Sequence, residues 1–252
     1  MAKSVLFRQT TLLLVICLLS IATAKSPDGK CRALALRGGG SKGSYEVGFL
    51  KAMTKYLDPI EYHYDVVVGV SVGAINAALL AIHEPGQEKV AVEELEELWR
   101  SHLPQDLWTT WPYVNFFGGV YYPSFLDSSP LHAEIHKHLD GKPFKRKIAI
   151  QSVDLNTGKV IIFDENTPED IKSEAVASSG SIPGAFSPTI INGMTLVDGG
   201  VFTNLDLGEA IVRCREEVDK DEDIIVDIVL CFSEPINLPE WSLDEAKWKN
   251  AY

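Results

Sequence analysis

Between residues 31 and 82 the chain twice runs from an apolar stretch through glycine into a helical pattern. Residues 31–36 (CRALAL) stop at Gly38-Gly39-Gly40, and residues 65–70 (DVVVGV) stop at a serine set between glycines. Short apolar runs of this kind read as buried strands. Residues 42–57 follow the first, with Tyr45, Phe49, Met53 and Tyr56 at helical spacing, which predicts one apolar face. Residues 72–82 (VGAINAALLAI) follow the second and predict a largely buried helix. Strand, helix, strand, helix in that order indicates an α/β fold with a parallel sheet.

The rest of the chain continues the mixture. Residues 88–101 predict an acidic amphipathic helix with Val92, Leu95 and Trp99 on one side, and another helix is expected over 130–139. Strands are expected over 146–153 and 159–163, joined by a turn at 156–159. Thr167 is expected to cap a helix with Pro168 at its first position. Residues 177–188 (ASSGSIPGAFSP) read as turn-rich and not helical, and Asn192-Gly193 as a hairpin turn between short strands. A helix over 206–218 and a strong strand over 223–232 complete the pattern. No repeat, low-complexity segment or linker divides it, so residues 25–232 are expected to form one domain, with 233–252 as an extension or its end.

The first 24 residues read as a cleaved signal peptide. Lys3 and Arg8 precede an uncharged apolar run at 11–19, and Ala22-Thr23-Ala24 fits the small-x-small cleavage rule. The run is too short to span a bilayer comfortably. A secreted or lumenal protein is therefore expected. Its formal charge of −12 becomes −14 when Lys3 and Arg8 leave. So acidic a chain argues against nucleic acid and against electrostatic docking on anionic lipid. Membrane contact would have to rest on apolar and aromatic groups. Cleavage also removes Cys17 and leaves Cys31, Cys214 and Cys231, which allow one internal bridge and one free thiol without saying which pair forms. No asparagine has Ser or Thr two places on, so no N-glycosylation is expected.

Gly69-Val70-Ser71-Val72-Gly73 is a G-x-S-x-G between an apolar strand and an apolar helix. In that setting the serine lies on a tight strand-to-helix turn, presents its hydroxyl at the strand end, and stands before the N–H groups of the following helix. Ser71 is the candidate nucleophile, and Gly69 and Gly73 keep the elbow uncrowded. Gly38-Gly39-Gly40-Ser41-Lys42-Gly43 lies at the other strand-to-helix junction and can turn backbone N–H groups toward an oxyanion. The same six residues satisfy G-x-G-x-x-G, so a dinucleotide-binding module is the competing reading. Against it, Asp65 begins the second apolar run and Ser71 ends it, whereas that fold wants an acid at the strand's end.

None of the six histidines follows residue 138, so the Ser, acid, His order of α/β-hydrolases is not met. Leu196-Val197-Asp198-Gly199-Gly200 instead offers an aspartate closing a short strand before two glycines. Such a carboxylate can accept the serine proton directly.

Taken in order, G-G-G-S-K-G at 38–43, G-V-S-V-G at 69–73 and D-G-G at 198–200 resemble the patatin-like phospholipase family. The segment from Ala177-Ser178-Ser179 through Ile182-Pro183-Gly184 to Phe186 and Pro188 is similar to the family's stretch before its aspartate. The resemblance covers about residues 31–232. It implies a three-layer α/β/α fold with a mostly parallel central sheet, lipid acyl hydrolase activity, a lipid or acyl-ester substrate, and neither cofactor nor metal. By position it makes Ser71 the nucleophile, Asp198 the base and Gly38 to Gly40 the oxyanion loop, with Gly199 and Gly200 after the aspartate. Arg37 stands where the family has a small residue. A weakly active lumenal storage or binding protein on the same fold is the remaining alternative.

Two further groups are noted. Eight aromatics fall within 108–125, from Trp108 to Phe125, and suit an acyl-chain pocket, a lid or an interfacial patch as well as an irregular flank of the core. His132, His136 and His138 include an i, i+4 pair, but without H-E-x-x-H they read as a solvated helix face and not as a metal site.

Overall fold

The computed structural model describes residues 26–102, 106–111 and 122–231. The leader at 1–24, the extension at 233–252, and Tyr113, Phe116, Phe117 and Tyr121 lie outside the described residues. Along the chain come β1 (Cys31–Leu36), α1 (Gly43–Tyr56), β2 (Val66–Val70), α2 (Val72–Ala81) and α3 (Glu88–Ser101). A two-residue ribbon, β3 (Thr109–Thr110) with β4 (Leu126–Asp127), precedes α4 (Ser129–Leu139). Then follow β5 (Lys147–Asp154), β6 (Val160–Asp164), α5 (Glu169–Ser179), β7 (Thr189–Ile191), β8 (Met194–Asp198), α6 (Leu207–Cys214) and β9 (Ile224–Val229).

Seven strands form one sheet. Its parallel body is β9-β1-β2-β5, and β6, β8 and β7 join by antiparallel pairing. Successive side chains of a strand face opposite sides, and the sequence uses this to size the two layers. Leu34, Leu36, Val67, Ile148 and Ile150 belong to the large core under α1 to α5. Ala33, Val66, Val68 and Ala149 make a shallower second core with Ala210 of α6. The arrangement is three layers, helix, sheet and helix. On the shallow side Cys31 at the start of β1 is bonded to Cys214 at the end of α6, with 5.5 Å between Cα atoms. Cys231 remains free and buried.

The topology of β5 places the site. Its residues Lys147 to Gln151 pair in parallel with β2, and β6 covers the opposite edge. Beyond the end of β2, Ser152 to Asp154 pair antiparallel with β8 on the edge that β2 has left. Val70 therefore lies opposite Gln151, and Asp198 opposite Ser152. The C-terminal ends of β2 and β8 meet head to head on consecutive residues of one strand.

Several expectations are corrected. The buried face of α1 is Val47, Leu50 and Met53 with Glu46, while Tyr45 and Tyr56 are exposed; aromatic spacing pointed at the neighbouring stripe. Thr167 does not cap α5. Pro168 holds that position, and the Thr167 hydroxyl instead accepts the Asp164 N–H at 3.0 Å, closing the turn after β6. Residues 177–179 are helical: Ser178 Oγ donates back to the Ala175 carbonyl at 2.7 Å, and α5 ends at Gly180. The hairpin is as expected, with Asn192 and Gly193 both at positive φ (50° and 80°), the requirement of a two-residue turn matching strand twist.

Candidate active site

Ser71 sits between the last residue of β2 and the first of α2, at φ 58° and ψ −127°. A side chain at positive φ is strained, and such strain persists only where surroundings enforce it. Here they do. A Cβ on Gly69 would stand 2.2 Å from the Gly73 carbonyl, and one on Gly73 would stand 2.4 Å from the Leu36 carbonyl, so both positions admit glycine alone. The Ser71 N–H donates to Ser179 Oγ at 2.9 Å, and that hydroxyl donates to the Gln151 carbonyl at 2.6 Å. One serine of α5 thus ties the elbow to β5.

Asp198 is buried at the end of β8. One oxygen accepts the Gly200 N–H at 2.7 Å, and the Ser71 side chain stands near enough to the carboxylate to favour its charged form. Burial pushes its pKa above the ordinary 3.8, with Ser71 and the Gly200 N–H pulling the other way. Its own N–H donates to the Ser181 carbonyl at 2.9 Å. On the β5 side, Gln151 Nε2 donates to the carbonyls of Gly199 and Thr203 at 2.8 and 2.9 Å, holding the turn after the aspartate.

The loop at 38–43 is brought over Ser71, but its residues do different things. The Gly38 N–H donates to the Asn204 carbonyl at 2.9 Å, and a Cβ there would lie 2.2 Å from Asn204 Oδ1 and 3.0 Å from Ser71 Cβ. Gly38 gives close approach, with its N–H engaged by Asn204. The N–H groups of Gly39 and Gly40 donate to no acceptor among the described residues. Gly40 and Ser41 line a cavity together with Ser71. Lys42 closes a short turn through its N–H to the Gly39 carbonyl, and Gly43 begins α1 against Val72 and Trp99. Arg37 Nη1 donates to the Gly38 carbonyl at 3.1 Å, bracing the loop. Asn204 and Gln151 carry no motif that would single them out in the sequence, and Ser179 falls in the Ala177-Ser178-Ser179 segment without a role being assigned to it there.

A polar network lies beneath the loop. Glu46 is fully buried, accepts Asn76 Nδ2 at 2.8 Å and receives the Cys231 thiol at 3.2 Å. Trp99 Nε1 donates to Asn76 Oδ1 at 2.9 Å. Burial pushes the Glu46 carboxyl up from 4.5 to about 7 and the Cys231 thiol up to about 12. Folding thus keeps a proton on Glu46 that the unfolded chain gives up, and the parent should lose stability as pH rises from about 4.5 through 7. Glu46→Gln cannot ionise. We expect its stability relative to the parent to improve by about 3 kcal/mol between pH 4 and pH 8, read by denaturant unfolding at each pH. A difference that does not change with pH would refute the buried ionisation.

The cavity beside Ser71 holds about 320 Å³ and is mainly apolar. Val72, Ile75 and Leu79 of α2 form one wall, and Leu98, Trp99, Leu131, Ile135 and Phe186 face them. Trp108 lies in this lining, with its ring centroid 5.8 Å from that of Phe186. Trp111 stacks on Tyr122 at 4.1 Å. Two of the three histidines on α4 do not form a solvated face. His132 and His136 contact Glu174 of α5 at 3.2 and 2.9 Å, and these bonds hold the Glu174 carboxyl down at about 2. Among the described residues no cluster has a metal-ligand arrangement. β2 ends at Val70 and leads into Ser71, Asp65 stands before its start, and the glycine loop lies against the serine, which leaves the dinucleotide reading without its acid.

This serine elbow, glycine loop and strand-end aspartate on an α/β/α scaffold define a class, and the sequence profile described as Patatin-like phospholipase matches residues 34–211. The chain belongs to the patatin-like phospholipase family. It is 41% identical over 87 residues to a cUMP-AMP-activated phospholipase of Escherichia coli, covering 34% of this chain and 25% of that protein. It is 23% identical over 216 residues to a cGAMP-activated phospholipase of Escherichia coli strain TW11681, covering 77% of this chain and 59% of that one. A probable lipid hydrolase, 463L of Invertebrate iridescent virus 6, is 25% identical over 230 residues, with 83% and 74% covered. The chain spans about a quarter of the first of these relatives and somewhat over half of the second.

Proposed function

We propose that the chain is a serine acyl-ester hydrolase acting on lipids through a Ser71–Asp198 dyad. The observation that carries this is the juxtaposition of Ser71 and Asp198 at the meeting point of β2 and β8, with Ser71 opening onto an apolar cavity. Asp198 takes the Ser71 proton as Oγ attacks the acyl carbonyl. The N–H groups of Gly39 and Gly40 receive the oxyanion, and the N-terminus of α2 favours its charge. The tetrahedral intermediate collapses, and the leaving alkoxide recovers the proton from Asp198. The same carboxylate then draws a proton from water, which attacks the acyl-enzyme; Ser71 Oγ leaves, takes that proton back from Asp198, and the fatty acid is released. The acyl chain occupies the cavity.

The substrate surface we infer is zwitterionic or neutral lipid. Phe125, Ile182, Val201 and Phe202 are exposed near Asp198 and the cavity, and an acidic chain gains nothing from anionic headgroups. A secreted or lumenal location accords with the leader sequence and with the Cys31–Cys214 bond, since disulfides persist in oxidising compartments.

The test is labelling by a serine-directed fluorophosphonate beside hydrolysis of phosphatidylcholine vesicles. We expect a label on Ser71 and release of free fatty acid. Release of acid without a label on Ser71 would place the chemistry elsewhere.

A further inference from the structure

The cavity beside Ser71 runs along α2 to Leu79, eight residues and about 12 Å further on. There it meets a second cavity of about 250 Å³. Leu79, Leu98, His102 and His138 line both, so they are the wall between them. The polar part of the wall is held together by one carboxylate. Glu134 Oε2 lies 3.5 Å from His102 Nε2 at the end of α3 and 3.5 Å from His138 Nε2 on α4. Lys137 donates to the same carboxylate at 2.9 Å. Beyond the wall the second cavity passes Ile82 and Leu95 and reaches Glu97, Lys137 and Lys142 at the surface. The inner cavity is thus an apolar tube closed by an imidazole–carboxylate cluster, with more apolar space behind it.

We propose that His102, Glu134 and His138 form a stop that limits the length of the acyl chain the pocket accepts. This rests on the reading of the inner cavity as the acyl site. A methylene pressed against the cluster meets polar atoms to which it offers no hydrogen bond, and one of them, the buried His138 Nε2, already has no hydrogen-bond partner among the described residues, so the contact is costly. Chains that reach from Ser71 to Leu79 bury fully, and longer ones meet the cluster. The favoured substrate carries a medium-length acyl group with no polar end.

Binding of saturated fatty acids of increasing length to the intact chain tests this without turnover, by displacement of a fluorescent fatty acid. The carboxylate is the same throughout the series, so the increments report the pocket. In the parent, affinity should rise about fourfold per methylene up to the stop and then level off. In His138→Ala the two cavities join, and the rise should continue, with at least tenfold tighter binding of the longest acids. His102→Ala serves as a second opening of the same wall. An unbroken rise in the parent, or a break at the same length in both variants, overturns the stop. Fluorophosphonate labelling keeps the two readings apart: labelled Ser71 without a break removes only the stop, and a break without labelling removes the dyad.

Discussion

Ser71→Ala is expected to lower kcat/KM for a medium-chain ester by about 10⁴-fold or more, and Asp198→Asn by about 10³-fold. Alanine removes the attacking oxygen. Asparagine at 198 can still accept the Gly200 N–H but cannot take a proton, so only the base is lost. The doubly substituted chain should be no worse than Ser71→Ala, because nucleophile and base act as a unit. The pH profile separates the base from a spacer. Burial raises the Asp198 pKa above 3.8, so kcat/KM of the parent should fall as pH drops through that raised pKa. The residual rate of Asp198→Asn should lack that limb. Initial rates from pH 4 to 9, with unfolding curves to confirm folding, decide it. Equal rates in all chains would remove the dyad, and an inactive parent would favour the binding-protein alternative.

The second large effect is on stability. Cys31–Cys214 closes a loop of 183 residues, for which the chain-entropy account allows about 5 kcal/mol. The bond also fastens α6 over the shallower core, where small side chains bury little area. Cys31→Ser with Cys214→Ser should therefore cost about 3 to 5 kcal/mol and lower Tm by roughly 10 °C or more. The comparison is a thermal unfolding scan of the oxidised parent against the double variant. A shift under about 2 °C would mean that α6 is held by packing alone. The free thiol of Cys231 lies under the glycine loop and is absent from this bond.

The strand-to-helix junctions were legible because each combines a short apolar run, obligatory glycine and a change of period. The elbow could be named from the same signals, whereas the aspartate is named from the order of the three motifs and the family they resemble. Glu46 could not, because a charged residue on a helix ordinarily faces water, and only the partners Asn76 and Cys231 make its burial tolerable. Ser179, Gln151 and Asn204 act through backbone groups distant in sequence, and nothing local in the sequence reports that. The loop residues at 38–43 read as one motif, yet only the structure separates Gly38, whose N–H is engaged, from Gly39 and Gly40. The disulfide pairing stayed open in the sequence for the same reason: β1 and α6 become neighbours only through the folded sheet.

The head-to-head arrangement on β5 makes the β7–β8 hairpin a ruler. Strand register is a discrete quantity, and a slip of two residues keeps every side chain on its own face while moving Asp198 by about 7 Å. The sheet would look intact and the core would remain filled, but the carboxylate would no longer reach Ser71. Under the proposed dyad, catalytic competence would be set by the number of residues between Asn192-Gly193 and Asp198. Insertions there should be far more damaging than equal insertions in surface loops that lie closer to the substrate.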